Sequence, residues 1–261
     1  MTQTFRDQYD DRDDADDLAD RDYANRPLPR QAYRGPALRS VTMTIILINV
    51  AVFCLDWLLY WKFGVRYRLI IEDGTSVYML PLQFWGHFSQ FYAIGDWQLW
   101  RFVTFQFLHG DLQHLAFNML ALYFFGPLVE FYLRPRQFLV FYLLCGIGGA
   151  MMYLILLMMG WRVGTSWVPL VGASAGIFGV LIAAAIIAPH AMVYLFSIVP
   201  MRLVTLAYFF IIFAVLQVLF RGANAGGEAA HLGGAAAGWL LMRRPDRLER
   251  IAWLGKRAPP F

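Results

Sequence analysis

Apolar runs of about twenty residues alternate with short polar or basic breaks along most of the chain, a pattern that predicts helices crossing a bilayer. Val41 to Trp61 is the first such run, Leu112 to Leu133 the second and Gln137 to Gly160 the third. Leu170 to Ala188 is the fourth and Met201 to Phe220 the fifth. A sixth, Gly227 to Met242, is diluted by Glu228, His231 and several glycines. It is included because a basic cluster follows it: Arg243, Arg244, Arg247, Arg250, Lys256 and Arg257. The expected fold is therefore an all-α polytopic membrane protein, a bundle of six transmembrane helices.

Two polar ends and one long connection frame these runs. Residues 5 to 24 are dense in Asp and Arg, a composition that cannot bury enough surface to offset ordering entropy. The expected division is a disordered cytoplasmic tail at 1–40, a six-span domain at 41–242 and a basic cytoplasmic tail at 243–261. Arg26, Arg30, Arg34 and Arg39 precede the first run, which argues against a secretory signal and for a cytoplasmic N-terminus. Residues 62 to 111 are rich in aromatics, among them Trp85, Trp97 and Trp100, and suit the membrane interface.

Composition agrees with this reading. Of 261 residues, 59% are hydrophobic and the mean hydropathy is +0.49, too apolar for a soluble domain of this length. A net charge of +4 would admit nucleic acid as a partner, but the cations flank apolar runs, where topology and lipid headgroups account for them. No nucleic acid is expected. Cys54 and Cys145 both lie inside apolar runs and read as packing residues rather than a disulfide or metal pair. Asn49 and Asp56, seven residues apart in the first run, share a face that should look into the bundle.

With both termini inside, the starts of the second, fourth and sixth runs all fall toward the outer side. His114, Asn118, Ser174 and His231 then share one depth. Polar side chains inside a membrane are costly, so their coincidence points to function, with interhelical hydrogen bonding as the plainer reading. His114 and Asn118 are four apart and stack on one helical face. His114 has no partner at metal-ligand spacing, which argues against a metal. Gly172-Ala173-Ser174-Ala175-Gly176 matches G-x-S-x-G and equally G-x-x-x-G; the first needs a strand before the serine, and the second signals close helix packing. His231, Gly234 and Gly238 recur at i, i+3 and i+7, so an imidazole and two bare patches of backbone share a face. A helix with that face can bring the imidazole to Ser174 as a general base for a nucleophile.

In these residues the chain resembles the rhomboid family of intramembrane serine proteases. The matching features are Trp100-Arg101, His109, His114-Leu-Ala-Phe-Asn118, Gly172-Ala-Ser174 and Ala230-His231-Leu-Gly-Gly234-Ala-Ala-Ala-Gly238. The resemblance implies that Ser174 is the nucleophile and His231 the base, a dyad with no acidic third member. It places oxyanion binding on His114, Asn118 and the Ser174 backbone N–H, and an aromatic ring, Phe178, on the catalytic imidazole. Gly172, Gly234 and Gly238 support the site. Ala175 stands where many relatives have glycine, with a small expected effect if it is helical. The implied substrates are transmembrane segments of other proteins, entering laterally and cut after a small residue; no cofactor is implied.

Amide hydrolysis needs water, so a polar cavity opening outward to Ser174 is expected. The segment Arg221 to Glu228, with Gly222, Gly226 and Gly227, reads either as a mobile cap over it or as a plain connector. A bacterial inner membrane is the expected location. The competing readings are a catalytically silent rhomboid-like protein that binds transmembrane helices, and a small transporter, against which the lack of an internal repeat counts. Substrate identity and oligomeric state are not legible in the chain.

Overall fold

The computed structural model describes residues 36–252, apart from 72, 73, 75, 162, 196–198, 246, 247, 249 and 250. The acidic tail and Arg247, Arg250, Lys256 and Arg257 lie outside the described residues. In chain order the elements are α1 (Val41–Phe63), β1 (Tyr67–Ile70), β2 (Ser76–Met79), α2 (Pro81–Gly86), a π-type turn (Phe91–Gly95), α3 (Arg101–Thr104) and a 3-10 turn (Phe105–Phe107). Then come α4 (Leu112–Leu133), α5 (Pro135–Met158), α6 (Ser174–Ile187), β3 (Met192–Leu195), β4 (Val199–Arg202), α7 (Leu203–Leu219) and α8 (Ala225–Arg243).

Among the described residues, three helices are long and apolar enough to cross a membrane: α1, α4 and α5. Large apolar side chains such as Leu47, Leu55, Leu58, Phe209, Ile212 and Phe213 face outward. A water-soluble fold would not expose such faces, and a lipid-embedded one requires them. This is a mostly helical integral membrane protein.

The expectation of an all-α chain needs correction. β1 and β2 pair antiparallel, and so do β3 and β4. Tyr67-Arg-Leu-Ile and Ser76-Val-Tyr-Met combine aromatic and branched residues that favour strands, and the Tyr67 ring stacks on Phe84 of α2 at 4.3 Å between centroids. The fourth helix also starts later than expected, at Ser174 rather than Leu170. Leu170 exchanges two backbone hydrogen bonds with Phe88, at 3.0 and 2.7 Å, and the Gly172 N–H donates to the Phe105 carbonyl at 2.9 Å. These bonds hold the chain out of the helix through Gly172, and α6 turns in at Ala173. Its 14 residues give α6 a length of only about 21 Å.

Buried polar groups tie the helix ends together. The Glu130 carboxylate of α4 accepts from the backbone N–H groups of Val41 (2.7 Å) and Thr42 (2.8 Å) and from the Thr42 hydroxyl (2.6 Å). Those donors open α1 and have no intrahelical acceptor, so the pairing fixes the start of α1 against the end of α4. Asn49 and Asp56 are both buried. The Asp56 carboxylate accepts from the N–H groups of Leu82 (2.7 Å) and Gln83 (3.1 Å), anchoring the first turn of α2. Of the two cysteines, Cys145 is a core residue, whereas Cys54 is exposed on α1 rather than packed.

Between β2 and α4 the aromatic-rich segment is built around Arg101, which is buried. Its guanidinium donates to the carbonyls of Phe84 (3.1 Å) and His87 (2.6 Å) and to the Gln98 side chain (2.7 Å), and lies over the Tyr92 ring. Burial, assisted by the Arg101 charge, lowers the His87 pKa to about 4. Burial, assisted by His114, lowers that of His109 to about 3. The unfolded chain takes up protons on both rings near pH 6.5, whereas the folded chain resists. Their contribution is therefore intact above that pH and is lost as pH falls, through about 4 for His87. In detergent, the thermal midpoint should drop between pH 6.5 and 4, and less steeply in His87→Gln.

Candidate active site

α8 packs most closely against α5 and α6, and small residues make that possible. A Cβ on Gly234 would overlap the Ala175 carbonyl of α6. One on Gly238 would lie 2.7 Å from the Gly179 Cα, and one on Gly149 of α5 would lie 2.7 Å from the Ala230 carbonyl. The three backbones thus touch. In lipid, where apolar burial supplies no drive for helix association, such close van der Waals contact is the main attraction.

This contact sets Ser174 beside His231. Ser174 opens α6, and its Oγ lies 2.8 Å from His231 Nε2. The Phe178 ring, one turn further along α6, stacks on the imidazole at 4.2 Å with an interplanar angle of 8°. Just before the serine, Gly172 takes φ +133°, and a Cβ there would lie 2.8 Å from His114 and 3.5 Å from Ser174 Oγ. Glycine is required twice over, for the left-handed backbone and for the space.

α4 adds the other two polar residues. Asp111 caps it, its carboxylate accepting from the His114 N–H at 2.8 Å. The His114 ring meets His109 edge to face. Asn118 is buried, and its Nδ2 has no hydrogen-bond partner among the described residues. His114, Asn118, Ser174, Phe178 and His231 line one cavity of about 1740 Å³, which extends past Leu203 and Phe210 of α7 and past Gly222–Gly227. Donors at the opening turn of α6 are not used within the helix. The Ser174 N–H is one of them. The cavity lining therefore joins a hydroxyl on an imidazole with donors suited to a developing negative charge.

Residues 96–244 match the sequence profile of the Rhomboid domain, more than half of the chain. This chain belongs to the rhomboid family. It is 29% identical over 219 residues to Rhomboid protease AarA of Providencia stuartii, covering 77% of this chain and 71% of that protein. Its identity to RHOMBOID-like protein 12, mitochondrial, of Arabidopsis thaliana is 30% over 226 residues, or 81% of this chain and 61% of that protein. Rhomboid protein 1, mitochondrial, of Saccharomyces cerevisiae is 29% identical over 182 residues, 67% of this chain and 44% of that protein.

Two features of this rhomboid depart from the reading of its sequence. The resemblance implied a dyad with no acidic third member and gave Glu228 no place at the site, whereas Glu228 Oε2 lies 2.9 Å from His231 Nδ1. The signal was present in the i, i+3 spacing of Glu228 and His231 on one helical face, but the glutamate registered only as a break in hydropathy. The segment Arg221 to Glu228, read as a cap or connector, is a short turn over its first half and helix over its second, because α8 begins at Ala225. Gly226 and Gly227 serve tight packing, the first against the Val163 carbonyl and the second against Asn224.

Glycine substitutions separate contact from composition. Gly234→Val should destabilise the protein by about 3 kcal/mol through overpacking, whereas Gly95→Ala, with nothing within 4 Å of the new methyl, should leave the thermal midpoint nearly unchanged.

Proposed function

We propose that this rhomboid is an intramembrane serine endopeptidase that cleaves transmembrane segments of other membrane proteins. The observation that carries the reading is the 2.8 Å approach of Ser174 Oγ to His231 Nε2, beside a stacked Phe178 and in the lining of a cavity shared with His114 and Asn118. A plain interhelical hydrogen bond would need neither the cavity nor an unpartnered buried donor beside it.

In this mechanism the Ser174 hydroxyl attacks the scissile carbonyl while His231 Nε2 takes its proton. Negative charge develops on the carbonyl oxygen. His114, Asn118 and the Ser174 N–H hold it, the last reinforced by the positive end of the α6 dipole. His231 then returns the proton to the leaving amine, and a water activated by the same imidazole hydrolyses the acyl-enzyme. The substrate reaches the cavity from the lipid side and unwinds first, because a transmembrane helix hides its peptide bonds in its own hydrogen bonds.

We assign six spans, α1, α4, α5, α6, α7 and α8. α6 and α7 are apolar but short, and α8 is admitted by its glycine packing against α5 and α6. Arg39 before α1 and Arg243 and Arg244 at the end of α8 support an orientation with both termini cytoplasmic and the cavity outside, by the positive-inside rule. A bacterial inner membrane is the proposed setting.

Purified full-length protein in detergent should be labelled by a fluorophosphonate at Ser174, and labelling should vanish in Ser174→Ala and in His231→Ala. Folded wild type that stays unlabelled, beside an active rhomboid that labels, would turn the reading to a silent helix-binding protein. Asn118→Ala should keep the fold and cut turnover of a transmembrane substrate on the order of 10²-fold; unchanged turnover would remove Asn118 from oxyanion binding.

A further inference from the structure

The contact between Glu228 and His231 lies outside the two-residue mechanism. Both residues come from the start of α8, three positions apart, so one helical face presents carboxylate and imidazole together. Glu228 is buried. Its Oε1 accepts from the Asn224 amide at 3.4 Å, and its Oε2 lies 2.9 Å from His231 Nδ1. On the other edge of the same ring, Nε2 faces Ser174 Oγ at 2.8 Å. Glutamate, imidazole and hydroxyl therefore form one continuous line.

From this line we infer that Glu228 is a positioning residue for the general base, selecting the imidazole tautomer that can accept the serine proton. The inference rests on the protease reading of Ser174 and His231. A neutral imidazole carries one N–H, on Nδ1 or on Nε2, and only the first form leaves a lone pair toward Ser174. An ionised carboxylate can only accept a hydrogen bond, so Glu228 beside Nδ1 requires the proton to sit there. The hydroxyl is then the donor to Nε2. When His231 takes the serine proton, the imidazolium forms against a carboxylate already in place. No proton passes to Glu228 in this scheme; it accepts the same Nδ1–H before and after the transfer.

A structural role would also suit this glutamate. An acid in the first turn of a helix interacts favourably with the dipole, and the Asn224 contact ties it to the loop before α8. That role makes no claim on the imidazole. The phenyl ring of Phe178 fixes the plane of the histidine by stacking, but an apolar ring face has no means of choosing between the two nitrogens. Among the described partners of the ring, Phe178, Ser174 and Glu228, the choice falls to Glu228.

The test uses full-length protein in detergent and two readouts. Nitrogen-15 spectra of histidine-labelled wild type, with His231→Gln used to assign the signal, should show the Nδ1–H tautomer at neutral pH. In Glu228→Gln, whose carboxamide can donate as well as accept, the spectra should show a mixture. The second-order rate of fluorophosphonate labelling of Ser174 should fall on the order of 10²-fold in Glu228→Gln, with the thermal midpoint held near that of wild type. A wild-type His231 found chiefly as the Nε2–H tautomer overturns the inference, whatever the folding of the variant. So does a folded Glu228→Gln that labels at the wild-type rate, which leaves the protease reading standing. A wild type that does not label at all fells the protease reading and this inference together.

Discussion

The backbone contact of α8 with α5 and α6 is the constraint on which the rest of the arrangement depends. In an apolar surround a polar side chain needs a partner inside the protein, and the partner must be within about 3 Å to count. Side chains as short as serine can meet a histidine on another helix only when the two helices nearly touch. Gly234 against Ala175 and Gly238 against Gly179 remove the Cβ atoms that would hold them apart. Gly149 does the same on the α5 side. The hydroxyl and the imidazole are neighbours because the glycines are where they are.

A second set of contacts decides where α6 begins. Arg101 draws the carbonyls of Phe84 and His87 around its guanidinium, which fixes the segment ahead of Phe88. Phe88 bridges to Leu170, and Phe105 accepts from Gly172. These bonds stop the helix from starting early and leave Ser174 at its first turn, with a free backbone donor and the positive end of the helix dipole. The aromatic connection is thus a scaffold for the serine as well as an interfacial surface.

Much of this was legible along the chain. The limits of α4 follow the second apolar run residue for residue, since Asp111 and Arg134 bound it with a cap and a charge. Asn49 and Asp56 were assigned to an inward face by spacing alone, and both are buried. Periodicity also showed a histidine face bare of side chains at Gly234 and Gly238, able to approach the small residues around Ser174; that the two faces meet is decided by packing. Other features were hidden. The hairpins β1–β2 and β3–β4 are four-residue strands, too short to show a period, and the use of Asp56 as a cap for α2 links residues 26 positions apart.

The chain by itself determined which segments are apolar, which faces carry small residues, and which polar residues sit inside apolar runs. Those are properties of composition and of a fixed helical repeat, and no partner is needed to read them. Tertiary structure decided what each polar group meets. It put a carboxylate on Nδ1 of His231, turned half of an expected loop into the first turn of α8, and shortened α6 by bonds from a distant segment. Hydrogen bonds act over a few ångströms between residues far apart in sequence, so their partners emerge only when the helices have packed.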